Sequence, residues 1–225
     1  MSNPSESVRP APRDLSQQLH RLLIGTLGFF LPFLLYIAAG LRPSGDLPPW
    51  KLLSSVSAYY YTGATGIFIG VVFALALFLI TYRGYEGVKA DRVVGAIAGL
   101  AALGVALFPT AAPSPLVEPT WWRDWVRTTH YVSAVALFIS FILFAGWLFR
   151  KSDVPKRSDR SAEKNRQDDL CLACAIVMTV CVVWAGSAIV TKGDIVIPEA
   201  IAIMAFAISW LSKGRVHEFV RRSPA

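Results

Sequence analysis

The stretch Ile67-Phe-Ile-Gly-Val-Val-Phe-Ala-Leu-Ala-Leu-Phe-Leu-Ile80 carries no polar side chain, and that continuity decides the fold class. A strand of a membrane β-barrel alternates apolar with polar residues over about ten positions, one face to lipid and one to the lumen. A segment apolar on every side instead suits a helix in lipid or inside a bundle, because a helix satisfies its backbone N–H and C=O groups within itself. Five further stretches of the same kind accompany it. A hydrocarbon core about 30 Å thick is crossed by roughly 17 to 25 helical residues, and the apolar runs predict helices over Leu22–Gly40, Ala64–Thr81, Val93–Pro109, Tyr131–Phe149, Leu170–Val190 and Ile195–Leu211.

Composition agrees with a bilayer as solvent. Hydrophobic residues make up 54% of the 225 positions and charged residues 16%, with a mean hydropathy of +0.49. A soluble domain of this length needs more charge on its surface. The expected fold class is therefore all-α, a six-transmembrane-helix bundle. A polar leader of about twenty residues precedes the first apolar run, too long for the n-region of a signal peptide, and Met1-Ser2 lacks the glycine that myristoylation requires.

Orientation follows from the basic residues, since Lys and Arg in short loops stay cytoplasmic. Of the 22 Lys and Arg, all but Arg42, Lys51, Arg123, Arg127 and Lys192 fall on the side that holds both termini. Both termini are thus expected in the cytoplasm, and the formal charge of +7 is a topology signal with no call for nucleic acid as a partner. Residues 1–14 are polar and expected to be a disordered cytoplasmic tail, residues 15–212 form the helical domain, and residues 213–225 are a basic cytoplasmic tail. Leu15, Leu19, Leu22 and Leu23 follow helical spacing, which extends the first helix back into the interface. The loop between the fourth and fifth spans reads as a solvated, mobile linker.

The loops on the other side are rich in aromatic residues. Trp50, Tyr59, Tyr60 and Tyr61 lie in the first and Trp121, Trp122 and Trp125 in the third. They read as an interfacial aromatic belt or as the wall of a binding site. Pro119-Thr120 marks a helix start, after which Trp122, Trp125, Val126 and Thr129 share a face and predict a short interfacial helix. Gly66 with Gly70 and Gly95 with Gly99 are spaced four apart, a pattern that lets helix backbones approach closely in lipid.

The inventory for metal or cofactor chemistry is thin. His20 and His217 belong to the cytoplasmic face and His130 to the external one, so they cannot share a metal or clamp a haem between spans. Cys171 and Cys174 have a Cys-x-x-Cys spacing without a second ligand pair and, with Cys181, read as small packing residues. No phosphate loop or nucleophile elbow is present, and no cofactor is expected. The polar groups that remain gather toward the external leaflet: Ser57, Tyr60, Tyr61, Arg127, His130 and Glu199. Glu199 is the most informative, because an acid in an apolar segment is costly and is by default a functional hypothesis. It is expected to share a pocket with His130 and with Ser57 or Tyr60.

Ser55-Val-Ser-Ala-Tyr-Tyr-Tyr-Thr62, Tyr82-Arg-Gly-Tyr85, Val105-Ala-Leu-Phe-Pro-Thr110 and His130-Tyr-Val-Ser-Ala134 resemble motifs of small bacterial multi-pass membrane proteins classed under domains of unknown function. The resemblance spans roughly residues 52–150. It implies a multi-pass protein of the plasma membrane, the bacterial inner membrane, and assigns no reaction. Three functions stay open: binding or moving a small or lipid-like ligand through an external-leaflet site, a membrane enzyme with a His130/Glu199 acid–base pair, or a structural subunit that engages another membrane protein or a second copy of itself.

Overall fold

The computed structural model describes residues 12–82, 89–152, 154 and 156–213. Among them the chain forms six α-helices and no strand: α1 (Pro12–Leu41), α2 (Thr65–Ile80), α3 (Lys89–Leu107), α4 (Asp124–Gly146), α5 (Ala162–Val190) and α6 (Val196–Lys213). The tails expected at 1–14 and 213–225 lie outside the described residues except where α1 and α6 reach into them. Five stretches, Leu19–Leu41 in α1 together with α3, α4 with the turn after it, α5 and α6, are long and apolar enough to cross a membrane, whereas α2 is shorter.

Several helices start earlier than their apolar runs, each for a local reason. Pro12 opens α1 at a position where a missing N–H leaves nothing unpaired. At 1.5 Å per residue a 30-residue helix is about 45 Å long, so α1 extends beyond an apolar layer. Pro119-Thr120 forms a turn, with the Trp122 N–H donating to the Pro119 carbonyl at 2.9 Å, and no separate interfacial helix follows. α4 instead begins at Asp124, whose carboxylate suits the positive helix end. The Thr128 and Thr129 hydroxyls bond back to the Asp124 and Trp125 carbonyls at 3.0 and 2.8 Å, and buried Val126 carries that first turn into the span. Ser161 caps α5 by accepting the Lys164 N–H at 3.1 Å.

Each helix packs against the next in sequence, and α6 closes onto α1, so the six form a ring. Neighbours run antiparallel, because Gly95 and then Gly99 of α3 meet Leu79 and then Ala76 of α2, and Gly25 and then Gly28 of α1 meet Leu211 and then Ala207 of α6. Pro12 and Lys213 therefore lie at one end of the bundle, called here the terminal end. It is filled by aromatic rings around fully buried Trp210, whose centroid lies 5.0 Å from each of Tyr82, Phe144 and Phe149. The outward faces are apolar, with Leu100, Val132 and Val183 exposed by 64%, 65% and 67%, as lipid contact requires.

The loop read as a mobile linker is tied down over its second half. Arg157 makes a two-pronged ion pair with Asp169 at 2.8 and 2.7 Å. Buried Asp168 holds Arg160 at 3.1 Å and also Lys164.

The two glycine pairs behave differently. A Cβ on Gly99 would lie 2.7 Å from the Ala76 carbonyl, and one on Gly95 would lie 2.8 Å from the Leu79 carbonyl, so α2 and α3 touch through backbone there. Gly66 and Gly70 meet nothing within 4 Å and are exposed, because they sit on the outward face of α2. Gly99→Leu is accordingly expected to overpack the α2–α3 seam at a cost of about 1–3 kcal/mol and lower the melting temperature in detergent. Gly70→Leu should leave it unchanged, and equal melting of both variants would contradict this packing.

Candidate functional site

The loop between α1 and α2 runs over the surface as far as Leu52 and then turns inward. Leu53, Val56, Ala58 and Tyr59 are all buried, by 93% or more of their surface, and residues 57–61 form one 3₁₀ turn that plugs the ring at the end opposite the termini. Thr62 and Thr65 hold the corner into α2. The Thr62 hydroxyl donates to the Tyr59 carbonyl at 2.8 Å and accepts the Ala64 N–H at 3.1 Å, while the Thr65 hydroxyl reaches the Tyr60 carbonyl at 2.5 Å.

This inward segment connects to three helices. The Ser54 carbonyl accepts the N–H groups of Ile195 and Val196 at 2.7 and 3.0 Å, satisfying donors that the start of α6 leaves without a helical partner. Two residues on, the Val56 N–H donates to Glu199 Oε2 at 2.7 Å. The next residue, Ser57, lies 3.0 Å through its hydroxyl from His130 Nε2 on α4. The other ring nitrogen, Nδ1, lies 2.7 Å from the Phe108 carbonyl just past α3. A carbonyl only accepts, so Nδ1 carries the hydrogen, and in the neutral imidazole Nε2 then accepts the Ser57 proton. Both His130 nitrogens are thereby occupied, and Glu199 is linked to the histidine through the Val56–Ser57 backbone and not by a direct bond.

Ser57, His130 and Glu199 line one cavity of about 530 Å³ between α4, α5, α6 and the loops at this end. Its wall includes Val135 and Phe138 of α4 and Val182, Ala185 and Gly186 of α5. Gly186 meets nothing within 4 Å, whereas a Cβ on Gly146, toward the terminal end of α4, would sit 3.3 Å from the Ala175 Cβ of α5. α4 and α5 thus close on each other near the terminal end and part toward the other. A second, narrower cavity of about 60 Å³ runs into the ring interior among Phe68, Val72, Leu137, Ile203 and Phe206, and it too is lined by Ser57 and Glu199.

The other candidate residues stand outside both cavities. Tyr60 packs its ring against Tyr61 and Phe68, at 5.2 and 6.3 Å between centroids. The Tyr61 hydroxyl donates to the Thr110 carbonyl at 2.5 Å. Arg127 turns outward to Asp124 at 3.0 Å and to the face of Trp122. Tyr60, Tyr61 and Arg127 share with the cavity the end opposite the termini without lining it, a difference that one-dimensional position does not record. His20 lies at the terminal end beside Thr81, far from His130 along the bundle, and His217 is outside the described residues. Cys171 packs beside Ser209 and Ser212 of α6, and Cys181 lines the wide cavity.

Two backbone partners were not singled out from sequence. The Phe108 carbonyl is open to a partner because Pro109 disfavours a helical Phe108 and α3 ends at Leu107, so that the Ala112 N–H donates to Glu118 and does not return to Phe108; the Phe-Pro pair was the available signal. No sequence signal marks the Val56 N–H. Comparisons with protein-family models, curated proteins and solved structures return no match.

Removing the carboxylate should show how much the plug depends on it. Glu199→Leu leaves the N–H of buried Val56 without an acceptor and is expected to cost about 1–3 kcal/mol, read as a lower melting temperature in detergent. Glu199→Gln keeps an acceptor oxygen and should cost less. Equal losses in the two variants would show that the hydrogen bond does not hold the segment.

Proposed function

We propose that the chain crosses a bacterial inner membrane six times, with both termini cytoplasmic, and binds a small amphipathic, lipid-like molecule in the external half of the bundle. The observation that carries this reading is the shared lining: Ser57 and Glu199 stand where the wide cavity meets the narrow apolar one. A ligand with a polar head and an apolar tail matches such a junction, since a few convergent polar groups fix orientation while an apolar wall supplies the burial. The gap between α4 and α5 supports entry from the outer leaflet, because both helices present apolar residues to lipid beside it.

Six spans rest on α2 as well as on the five longer helices. Its 16 residues rise about 24 Å, short of a hydrocarbon core, and the buried turn at 57–61 supplies the missing depth. Irregular backbone is tolerated there because it is enclosed by protein and lines a cavity. The distribution of Lys and Arg supports the orientation.

Orientation is checked by placing single cysteines at Ser114 and at Ser158, both exposed, in a chain whose Cys171, Cys174 and Cys181 are replaced by Ala. An impermeant maleimide added to intact cells should label position 114 alone, and label at 158 should require lysis; the reverse pattern would overturn the topology.

Ligand binding is checked with a diazirine-bearing lysophospholipid and a diazirine-bearing fatty acid, each crosslinked to the protein in nanodiscs. Adducts are expected to map to α4 and α5 within residues 130–138 and 181–189, and to fall at least about tenfold when Ala134→Trp fills the junction, a loss worth about 1.4 kcal/mol of binding. Adducts spread evenly over the outward faces, unchanged by Ala134→Trp, would reduce the cavity to an unoccupied packing defect.

A further inference from the structure

A serine hydroxyl that hands its proton to a histidine, whose far nitrogen is held by an acceptor, is the arrangement that activates a nucleophile. Ser57, His130 and the Phe108 carbonyl have that arrangement, at 3.0 and 2.7 Å. We propose that Ser57 is an acyl-accepting nucleophile with His130 as its general base, and that the substrate is a carboxylic ester of an amphipathic molecule. The proposal rests on the binding reading above and names the substrate class and chemistry of that same site.

Three features separate this pair from a packing contact. Ser57 and His130 are 7% and 2% exposed, yet both line the wide cavity, so they are shielded from bulk water while open to an occupant. The histidine tautomer is fixed by a carbonyl and leaves the Nε2 lone pair directed at the hydroxyl, which is the state a general base needs. Glu199 lines the same cavity and offers the polar end of an occupant a second hydrogen-bonding group. The narrow apolar cavity, which Ser57 also lines, can take the start of an acyl chain. Another hydroxyl–histidine pair among the described residues serves as a contrast. At the terminal end Thr81 Oγ1 is 3.4 Å from His20 Nε2, but the Thr81 hydroxyl gives its proton to the Leu77 carbonyl at 2.7 Å and so has none to hand to the histidine.

The chemistry balances in two steps. Ser57 Oγ bonds to the ester carbonyl carbon as its proton passes to His130 Nε2; the ester C–O bond then breaks and His130 gives that proton to the departing alkoxide, which leaves as an alcohol. A hydroxyl compound, water or a second lipid alcohol, next gives its proton to His130 and attacks the acyl-serine, and the proton returns to Ser57 Oγ as the acyl group departs. No oxidant or reductant is required. With water the outcome is hydrolysis, and with an alcohol it is acyl transfer.

The test uses the full chain in nanodiscs and an alkyl fluorophosphonate, which a nucleophilic serine attacks at phosphorus with loss of fluoride. Wild-type protein should acquire one phosphonate on Ser57, located by peptide mass spectrometry, faster with a long-chain alkyl probe than with an ethyl one. His130→Gln should slow labelling by at least about 100-fold, the usual share of a general base, in a preparation that retains its size-exclusion profile and melting temperature. Should His130→Gln fail to fold, the wild-type map decides alone. No label on Ser57 under conditions that saturate a soluble serine hydrolase, or labelling that a folded His130→Gln variant leaves unchanged, overturns the proposal. Crosslinking of the diazirine lipids in a protein that takes no phosphonate would leave a binding site without this chemistry, and loss of both would remove the site altogether.

Discussion

The Val56 N–H bonded to Glu199 is the contact on which the half of this bundle opposite the termini depends. Residues 53–61 enter the ring with one 3₁₀ turn at 57–61 as their regular structure, and, buried there, each remaining backbone group must find a partner inside the protein. The segment meets this constraint by trading with α6. Ser54 supplies a carbonyl to the first N–H groups of α6, and α6 returns a carboxylate to the N–H of Val56. An acid in the first turn of a helix also faces the positive end of the helix dipole, which eases the placement of Glu199 in an apolar helix. Pro198, buried just before it, removes one N–H that the same crowded corner would otherwise have to satisfy.

That exchange explains why the two ends of the ring differ. At the terminal end, aromatic rings around Trp210 fill the interior, and α4 and α5 approach closely enough for Gly146 and Ala175 to touch. At the other end the space between helices is taken by a folded loop instead of side chains. A loop packs less completely than interdigitated rings, and the space left over is the cavity between α4, α5 and α6. Polar groups brought inward to satisfy the loop become the polar groups of the cavity wall. The site is thus a by-product of the way the plug is held, and its position follows from which end the plug closes.

Helix existence was legible in the sequence because continuous apolar runs such as Ile67–Ile80 leave few alternatives. Helix starts were less so. The apolar run of α4 begins at Tyr131, but the helix begins at Asp124, since capping and first-turn charges are set by polar residues that a hydropathy reading passes over. Spacing identified Gly95 and Gly99 as contact residues and equally picked out Gly66 and Gly70, which face outward; a spacing of four fixes a common face without saying which way it points. The same limit applies to the site. Ser57, His130 and Glu199 were legible as polar groups at external helix ends, and so were Tyr60, Tyr61 and Arg127, yet only the first three face the cavity. What separates them is the inward course of residues 53–61, a tertiary outcome that local patterns do not encode.

The polar network is also more extensive than packing requires. Segment 54–57 bonds to α6 twice, through Ser54 and Val56, and to α4 through Ser57, while His130 extends the chain of bonds to the end of α3. Apolar residues of similar size could fill the same space without the desolvation that buried polar groups incur, and partly satisfied networks are worse than none. A network that is satisfied through three helices resists displacement of any one of them. It therefore holds the Ser57 hydroxyl, the His130 ring and the Glu199 carboxyl group in fixed relation at the cavity wall, and a fixed relation among a hydroxyl, a base and an acid is what recognition of a polar head group needs and what uniform packing does not supply.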